Sequence, residues 1–312
     1  MGRRVLRFED RDKKVVQISE DDIIKARIVE ISRRAKNIII TLDNGKALIF
    51  HLKMTGQLIW EERCGGSDFC LRNRQGGGHP DKTWLEKLPN KHTRAIFYFD
   101  DGGVLYFNDI RRFGYIKTIP LTLFRPLSVI PVKAGIQIRD KLRRESTDNR
   151  VDSHVSSEND KRVLNILDSL GVEPFEKELD VGYLEKTAER FPNRKIKQFL
   201  LDQTIIAGIG NIYADEALFD AKILPMRLVK DIKKIEWQTL IDSIRKVLEQ
   251  GIKFGGSSAE NFVDAFGQQG RAHEHLKVYR KTGRPCPNDC GGVVSRIILG
   301  GRSTHFCPKC QH

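Results

Sequence analysis

The stretch RIVEISRRAKNIIITLDNGKALIFHLKMTGQLIW (27–60) decides how the first part of this 312-residue chain folds. Across residues 26–60, apolar and polar side chains alternate like those of strands, whose successive side chains point to opposite faces. The apolar runs are rich in Ile and are broken by DNG at Asp43–Gly45. Asn-Gly between two such runs signals a tight hairpin. Working outward, the pattern returns at 94–99 and 104–108 around DDGG. Residues 1–124 are therefore expected to form an antiparallel β-sandwich.

Two stretches break this pattern. RCGGSDFCLRNRQGGGHPDK (63–82) is Gly-rich and polar and reads as a loop, with Cys64 and Cys70 as free thiols. Residues 125–162 lack clear periodicity and turn strongly polar. They read as an insertion or linker, at least partly disordered.

From about residue 162 the apolar spacing becomes three and four, as on a helix face, in KRVLNILDSLG and VGYLEKTAERF. RKIKQFLLDQTIIAGIGNIYADEALFDAKILP then predicts a helix, a turn containing Gly208 and Gly210, and a second helix that Asn211 is placed to cap. Residues 235–253 predict another amphipathic helix, followed by the polar loop AENFVDAFGQQGRAHEH. A helical domain over 163–270 is expected, with a last domain over 271–312.

That last domain carries Cys286-x3-Cys290-x16-Cys307-x2-Cys310. Two close pairs, separated by a strand–turn–strand length, have the spacing of a four-thiolate zinc ribbon. Four thiolates leave no open position, so the zinc would be structural. Disulfides or free thiols are the minor alternative. The segment between the pairs, SRIILGGRSTHF, places Arg302 at a hairpin tip, either as an ordinary surface arginine or as a guanidinium offered to phosphate or base.

The net charge of +13 and pI near 9.5 favour a polyanionic partner, nucleic acid or an anionic membrane surface; a soluble protein with a solvated basic face is the alternative that charge alone does not reject. No stretch approaches the ~18 apolar residues of a spanning helix. The opening MGRRVLRFED has no apolar run after it, unlike a signal peptide. A cytoplasmic monomer is expected. DIRRFGY (109–115) puts two arginines beside a phenylalanine at a strand end, either a half-buried aromatic beside solvated charge or a wedge for a base stack.

Taken in order, RRAKNIIITLDNG, HLKMTGQL, DIRRFGY, LGVEPF, AGIGNIYADEALF and GRSTHFCPKCQ resemble the formamidopyrimidine-DNA glycosylase family, which shares its fold with endonuclease VIII. The resemblance covers roughly residues 2–60, 84–122 and 162–312. It implies an α+β protein: a β-sandwich, a helical domain with a helix–two-turn–helix unit, and the zinc ribbon. It also implies a base-excision-repair enzyme acting on damaged duplex DNA. Such an enzyme excises oxidised purines, 8-oxoguanine among them, and nicks the abasic strand by β- and δ-elimination. Carried over residue by residue, Lys36 matches a lysine that assists catalysis near the lesion. Met54, Arg111 and Phe113 match the trio that fills the void left by the flipped nucleotide. His92 matches a DNA-contacting histidine. Lys197 and Asn211, with Arg194 as an addition, match phosphate contacts, and Arg302 the ribbon arginine assigned to δ-elimination. Residues 257–274 correspond to a loop that closes over the extruded base.

One part of the family pattern has no counterpart. The resemblance implies a proline nucleophile directly after the initiator methionine, followed by a glutamate, whereas Gly2 and Arg3 follow Met1 here. The match begins at the first strand. Two expectations follow: a glycosylase whose start lies upstream, or a lesion-binding protein with an impaired catalytic centre. A primary amine at Gly2 is a further candidate nucleophile. A zinc-ribbon protein that binds RNA or another protein would leave the ordered β-domain motifs unexplained.

Overall fold

The computed structural model describes residues 2–62, 74–78, 88–121, 130–131, 167–256 and 270–312; at 74–78 and 130–131 it describes the backbone alone. The chain divides into two compact units, one holding most of the strands, the other the helices, the C-terminal hairpin and the segments 57–61 and 71–91.

The strand-rich unit begins with β1 (Val5–Asp10), β2 (Val16–Gln17), β3 (Ile28–Arg34), β4 (Asn37–Leu42) and β5 (Lys46–His51). It continues with β8 (Thr93–Phe99), β9 (Val104–Asp109), β10 (Tyr115–Pro120) and β11 (Ile130–Pro131), while β6 (Gly56–Glu61) and β7 (Arg74–Gly78) fall almost wholly in the other unit. One sheet runs β1-β8-β9-β6-β7 and the other β11-β3-β4-β5-β10-β2. β10 and β2 pair in parallel, and the other strand registers of this part that are described are antiparallel. The Asp43–Gly45 break joins β4 to β5, as the Asn-Gly signal predicts. Inward-facing aromatics fill the space between the sheets. Phe50 of β5 lies 5.9 Å from Phe97 of β8 and 6.2 Å from Phe107 of β9, ring centre to ring centre. Edge-on and tilted ring pairs at this spacing add to plain area burial.

One sequence expectation changes here, and a second gains detail. Within 63–82, read as a loop, residues 74–78 form β7 and pair with β6, Leu58 facing Gly77. A ladder is made of backbone groups, so RQGGG can pair at a sheet edge without the apolar alternation that marks a strand in sequence. Within 125–162, Ile130 and Pro131 pair with Arg33 and Ser32 of β3. The rest of that stretch, Cys64 and Cys70 lie outside the described residues.

The other unit carries α1 (Val181–Ala188), α2 (Ile196–Leu201), α3 (Asn211–Asp220), α4 (Lys234–Lys253) and the hairpin β12 (Ser295–Leu299) and β13 (Arg302–Phe306). Asp180 caps α1, its Oδ1 accepting the Tyr183 N–H at 2.7 Å. Leu184, Phe199, Leu218, Trp237 and Leu240 are buried in one core that ties the four helices together. No helix of the described residues is long and apolar enough to cross a membrane.

Candidate nucleic-acid interface and metal centre

Two turns separate α2 from α3, and Gln203 braces them. Its Nε2 donates to the carbonyls of Leu201 (3.1 Å) and Ile209 (2.9 Å), while its Oε1 accepts the Gly208 N–H at 2.9 Å. The N-cap of α3 is Gly210 rather than Asn211, which is one residue into the helix. Asn211 turns its amide elsewhere: Nδ2 donates to the Ser303 carbonyl of β13 at 3.0 Å.

Lys197 meets the same carbonyl. This lysine is fully buried, and its Nζ donates to Ser303 O at 2.9 Å and Thr304 Oγ1 at 2.8 Å. It also pairs with Asp215 Oδ1 at 2.6 Å. Its three donors are therefore engaged inside the protein. The expectation of a direct phosphate contact for Lys197 changes accordingly, because an ammonium with no exposed surface has nothing to offer a backbone outside. Asp215 is as buried as its partner, and its Oδ2 accepts the backbone N–H of His305 at 2.9 Å and faces His305 Nδ1 at 3.1 Å. Burial pushes the Asp215 carboxyl up and the Lys197 ammonium down; the ion pair opposes both shifts. The neighbouring Glu216 accepts three consecutive amides, from Lys277, Val278 and Tyr279, at 2.8–3.0 Å. Two adjacent acids on α3 thus fasten both the hairpin and the 277–279 segment. Neither was legible as a site residue, although charged residues inside the apolar run ADEALF were the available signal.

The hairpin these contacts hold turns tightly. Leu299 pairs with Arg302 across Gly300 and Gly301, whose φ values of 56° and 74° make the two-residue turn that matches strand twist. Arg302 is exposed at this tip. A cleft beside it is lined by Gln198 and Asp202 of the α2 region, Arg194 and Leu299. Arg194 is tied to Asp202 at 2.6 Å and lies over the Phe191 ring at 4.2 Å.

Below the hairpin, the four cysteine sulfurs lie within 4.8 Å of one another. Cys286 and Cys310 are 3.6 Å apart and Cys290 and Cys307 3.5 Å apart. Thiolates ~2.3 Å from a tetrahedral zinc ion stand about 3.8 Å apart, so the donor set fits that ion. Gly292 is required here: a Cβ would sit 2.8 Å from Cys307 Sγ and 3.2 Å from Cys290 Sγ. Burial pushes the Cys286 thiol up to about 12. Cys307 is buried too, yet the amides of Cys310 and Lys309 pull it down to about 7. Cys286 and Cys307 pack with Phe219, Val278 and Val294, which makes the centre part of the unit's core. The zinc is structural.

The strand-rich unit gathers a second group. Lys36 is exposed in the two-residue turn between β3 and β4, beside Ala35 at φ 51°. Met54, Arg111 and Phe113 come together: Arg111 Nη1 is 3.7 Å from Met54 Sδ, and its guanidinium lies 4.9 Å from the Phe113 ring centre. Met54 is 61% and Phe113 52% exposed, so the apolar surface of this group faces water. A buried carboxylate holds it. Asp109 accepts Thr55 Oγ1 at 2.5 Å, Arg111 N at 3.2 Å and Gly114 N at 2.6 Å. Thr55 Oγ1 in turn accepts Arg111 N at 3.1 Å. The second arginine of the RR pair points elsewhere, with Arg112 forming a two-pronged bond to Asp12 at 2.6 and 2.8 Å. Next to the trio, His51 Nδ1 accepts the Lys53 N–H at 3.0 Å. Burial, with Lys53 and Lys36 nearby, pulls His51 down to about 4. His92 is half-buried ahead of β8, its carbonyl accepting Asp109 N at 3.0 Å. Thr55, Asp109 and His51 were not singled out in sequence. The expected loop over 257–274 lies outside the described residues up to 269.

Residues 1–116 match the formamidopyrimidine-DNA glycosylase N-terminal domain. Residues 170–263 match the formamidopyrimidine-DNA glycosylase H2TH domain, and 283–312 the zinc finger found in FPG and IleRS. The chain is 34% identical over 292 residues to a formamidopyrimidine-DNA glycosylase of Pelotomaculum thermopropionicum, covering 94% of this chain and 84% of the relative. A second such protein, from Desulforamulus reducens, is 33% identical over 95% of this chain and 85% of its own length. Among solved structures, a Lactococcus lactis Fpg bound to DNA containing an abasic site superposes with a TM-score of 0.72 at 27% identity, covering 100% of this chain and 93% of that one. A mutant of the Lactococcus lactis protein with Fapy-dG containing DNA also superposes with a TM-score of 0.72, at 26% identity.

Proposed function

The chain belongs to the formamidopyrimidine-DNA glycosylase family, base-excision-repair enzymes, and on that premise we propose that it removes oxidised purines from duplex DNA and nicks the abasic strand. The observation that carries this reading is the exposed Met54, Arg111 and Phe113 group on its buried Asp109 anchor. A base inside a duplex must be extruded before chemistry on it, and unstacking costs a few kcal/mol. An apolar side chain, a planar cation and an aromatic ring held in advance can occupy the vacated space. Arg302 and Asn211 are proposed to take backbone phosphate in the helical unit, with Arg194 beside them and His92 in the strand-rich unit. Lys197 is proposed to serve that contact indirectly, by fixing Ser303 next to Arg302. Lys36 is proposed to assist at the lesion, and Arg302 to assist elimination of the phosphates flanking the abasic sugar. A single chain acting in the cytosol suffices for these contacts.

In the reaction an amine displaces the base at C1′ and leaves a Schiff base with the opened sugar, which borohydride reduces to a stable amine linkage. The test incubates the protein with a duplex carrying one 8-oxoguanine, adds borohydride, and maps the adduct by mass spectrometry. A covalent band and a cut strand, on the lesion duplex only, are expected. Tight lesion binding with neither adduct nor cut would replace the enzyme by a lesion-binding protein.

A further inference from the structure

We propose that Lys53 is an additional DNA-backbone contact, its ammonium taking a phosphate next to the nucleotide position that Met54 would fill. This rests on the lesion-directed reading of the Met54, Arg111 and Phe113 group.

Lys53 holds a backbone conformation that favours glycine, with φ at 50°. The turn around it is fixed at several points. Its own N–H is bonded to His51 Nδ1, and Gly56 N donates to the Leu52 carbonyl at 2.8 Å. A lysine in that conformation strains the backbone where a glycine would not. The turn's geometry therefore does not call for lysine; what lysine adds is the side chain. That side chain is exposed, and no carboxylate pairs with it among the described residues. Its Nζ lies 5.9 Å from the centre of the Tyr115 ring. Lys117 approaches the same ring at 5.4 Å, and the Tyr115 hydroxyl is anchored on Asn37 at 3.1 Å.

The neighbouring residue, Met54, projects into water and touches Arg111. Arg111 likewise has no carboxylate bonded to its guanidinium among the described residues. Two unneutralised cations thus flank exposed apolar surface. Apolar groups that enter a base stack bring the sugar-phosphate backbone with them, and a cation at the edge of such a wedge meets phosphate first. Neutral polar side chains would hydrate this turn equally well without neutralising a phosphate and releasing the cation condensed on it.

The strained φ provides a test in which stability and binding move in opposite directions. Lys53→Gly relieves the backbone, so its melting temperature should match or exceed that of the parent protein. Binding is measured over a range of salt on a duplex carrying a stable abasic-site analogue and on the undamaged duplex. The slope of log affinity against log salt should become shallower by about 0.9 for Lys53→Gly, the value for one lost phosphate contact. Lys53→Arg should keep the parental slope. A parental affinity and slope for Lys53→Gly would overturn the proposal. So would a loss of affinity at unchanged slope, which would assign Lys53 to the shape of the turn. If the parent protein binds both duplexes equally, the lesion-directed reading fails instead, while the slope still decides whether Lys53 meets phosphate.

Discussion

Asp109 and Asp215 are both fully buried, and each holds a candidate DNA-facing group in place, yet they do so with opposite chemistry. Asp109 is surrounded by neutral donors, a hydroxyl and two backbone amides, drawn from the HLKMTG and DIRRFGY turns. What it organises is exposed: a methionine, an arginine and a phenylalanine in water. Asp215 takes a buried ammonium and a histidine, and what it organises is a docked hairpin with Arg302 at its tip. A carboxylate satisfied by neutral amides can fix a loop without a matching cation. A carboxylate opposite a lysine fixes two elements at once, but each charge then depends on the other. The second arrangement should therefore be the more fragile of the two.

The largest effect should come from the support that both Asp215 and the hairpin share. Cys307→Ser removes one thiolate from the zinc set. Structural zinc contributes on the order of 10 kcal/mol to folding of small ribbons. Zinc content should fall below one per chain and the hairpin should undock, read by metal analysis and by lost lesion binding. Retained zinc with unchanged affinity would remove the ribbon assignment.

Next, Asp215→Ala strands the Lys197 ammonium and should cost about 3–5 kcal/mol in denaturant unfolding. Lys197→Met combined with Asp215→Leu should recover much of that loss in stability. A single variant no worse than ~1 kcal/mol would erase the contrast with Asp109. Asp109→Ala leaves the Gly114 amide without its acceptor and the Arg111 amide with Thr55 Oγ1 alone, and should cost about 1–3 kcal/mol. Its distinguishing sign is a loss of discrimination between lesion and plain duplex; equal weakening on both would mean that the trio acts only through charge.

The last effect is a pH dependence beside the trio. His51 is pulled down to about 4 in the folded chain, from an ordinary value of 6.5. The unfolded chain therefore takes up the proton first as the solution is acidified. Stability is fully present above 6.5 and declines as pH falls from there toward about 4. His51→Gln should flatten that part of the curve in unfolding experiments from pH 7 to 4. An unaltered curve would show that His51 is not what gives the trio's side its acid sensitivity.

How much of this was legible follows from what periodicity reports. Residues 26–60 declare their strands because their apolar side chains fall on one face, and Asn44–Gly45 declares the turn. The cysteine spacing declares the metal because four soft ligands in two tight turns have little other use. Strand β7 was hidden because glycine carries no side chain to mark a face. Asn211 was expected as a cap because type and position agreed, but helix α3 begins one residue earlier and Ser303 claims its amide. The expectation for Lys197 was phosphate; the fold instead buries it against an acid eighteen residues on and a strand more than a hundred residues away. Asp109, Asp215 and Glu216 shared that difficulty. A buried acid is recognised by its partners, and those partners lie in other elements.

The separation along the chain has a kinetic consequence. Lys197 reaches Thr304 across 107 positions, and Asp215 reaches His305 across 90. Closing loops of that length is entropically unfavourable, so such contacts form after the local helices. Until the hairpin arrives, water solvates both charges and α2 and α3 can pack without penalty. Dehydration of the pair then coincides with docking, in a single late step. Substitutions that remove both charges should accelerate that step, leaving early helix formation untouched, in stopped-flow refolding with zinc present.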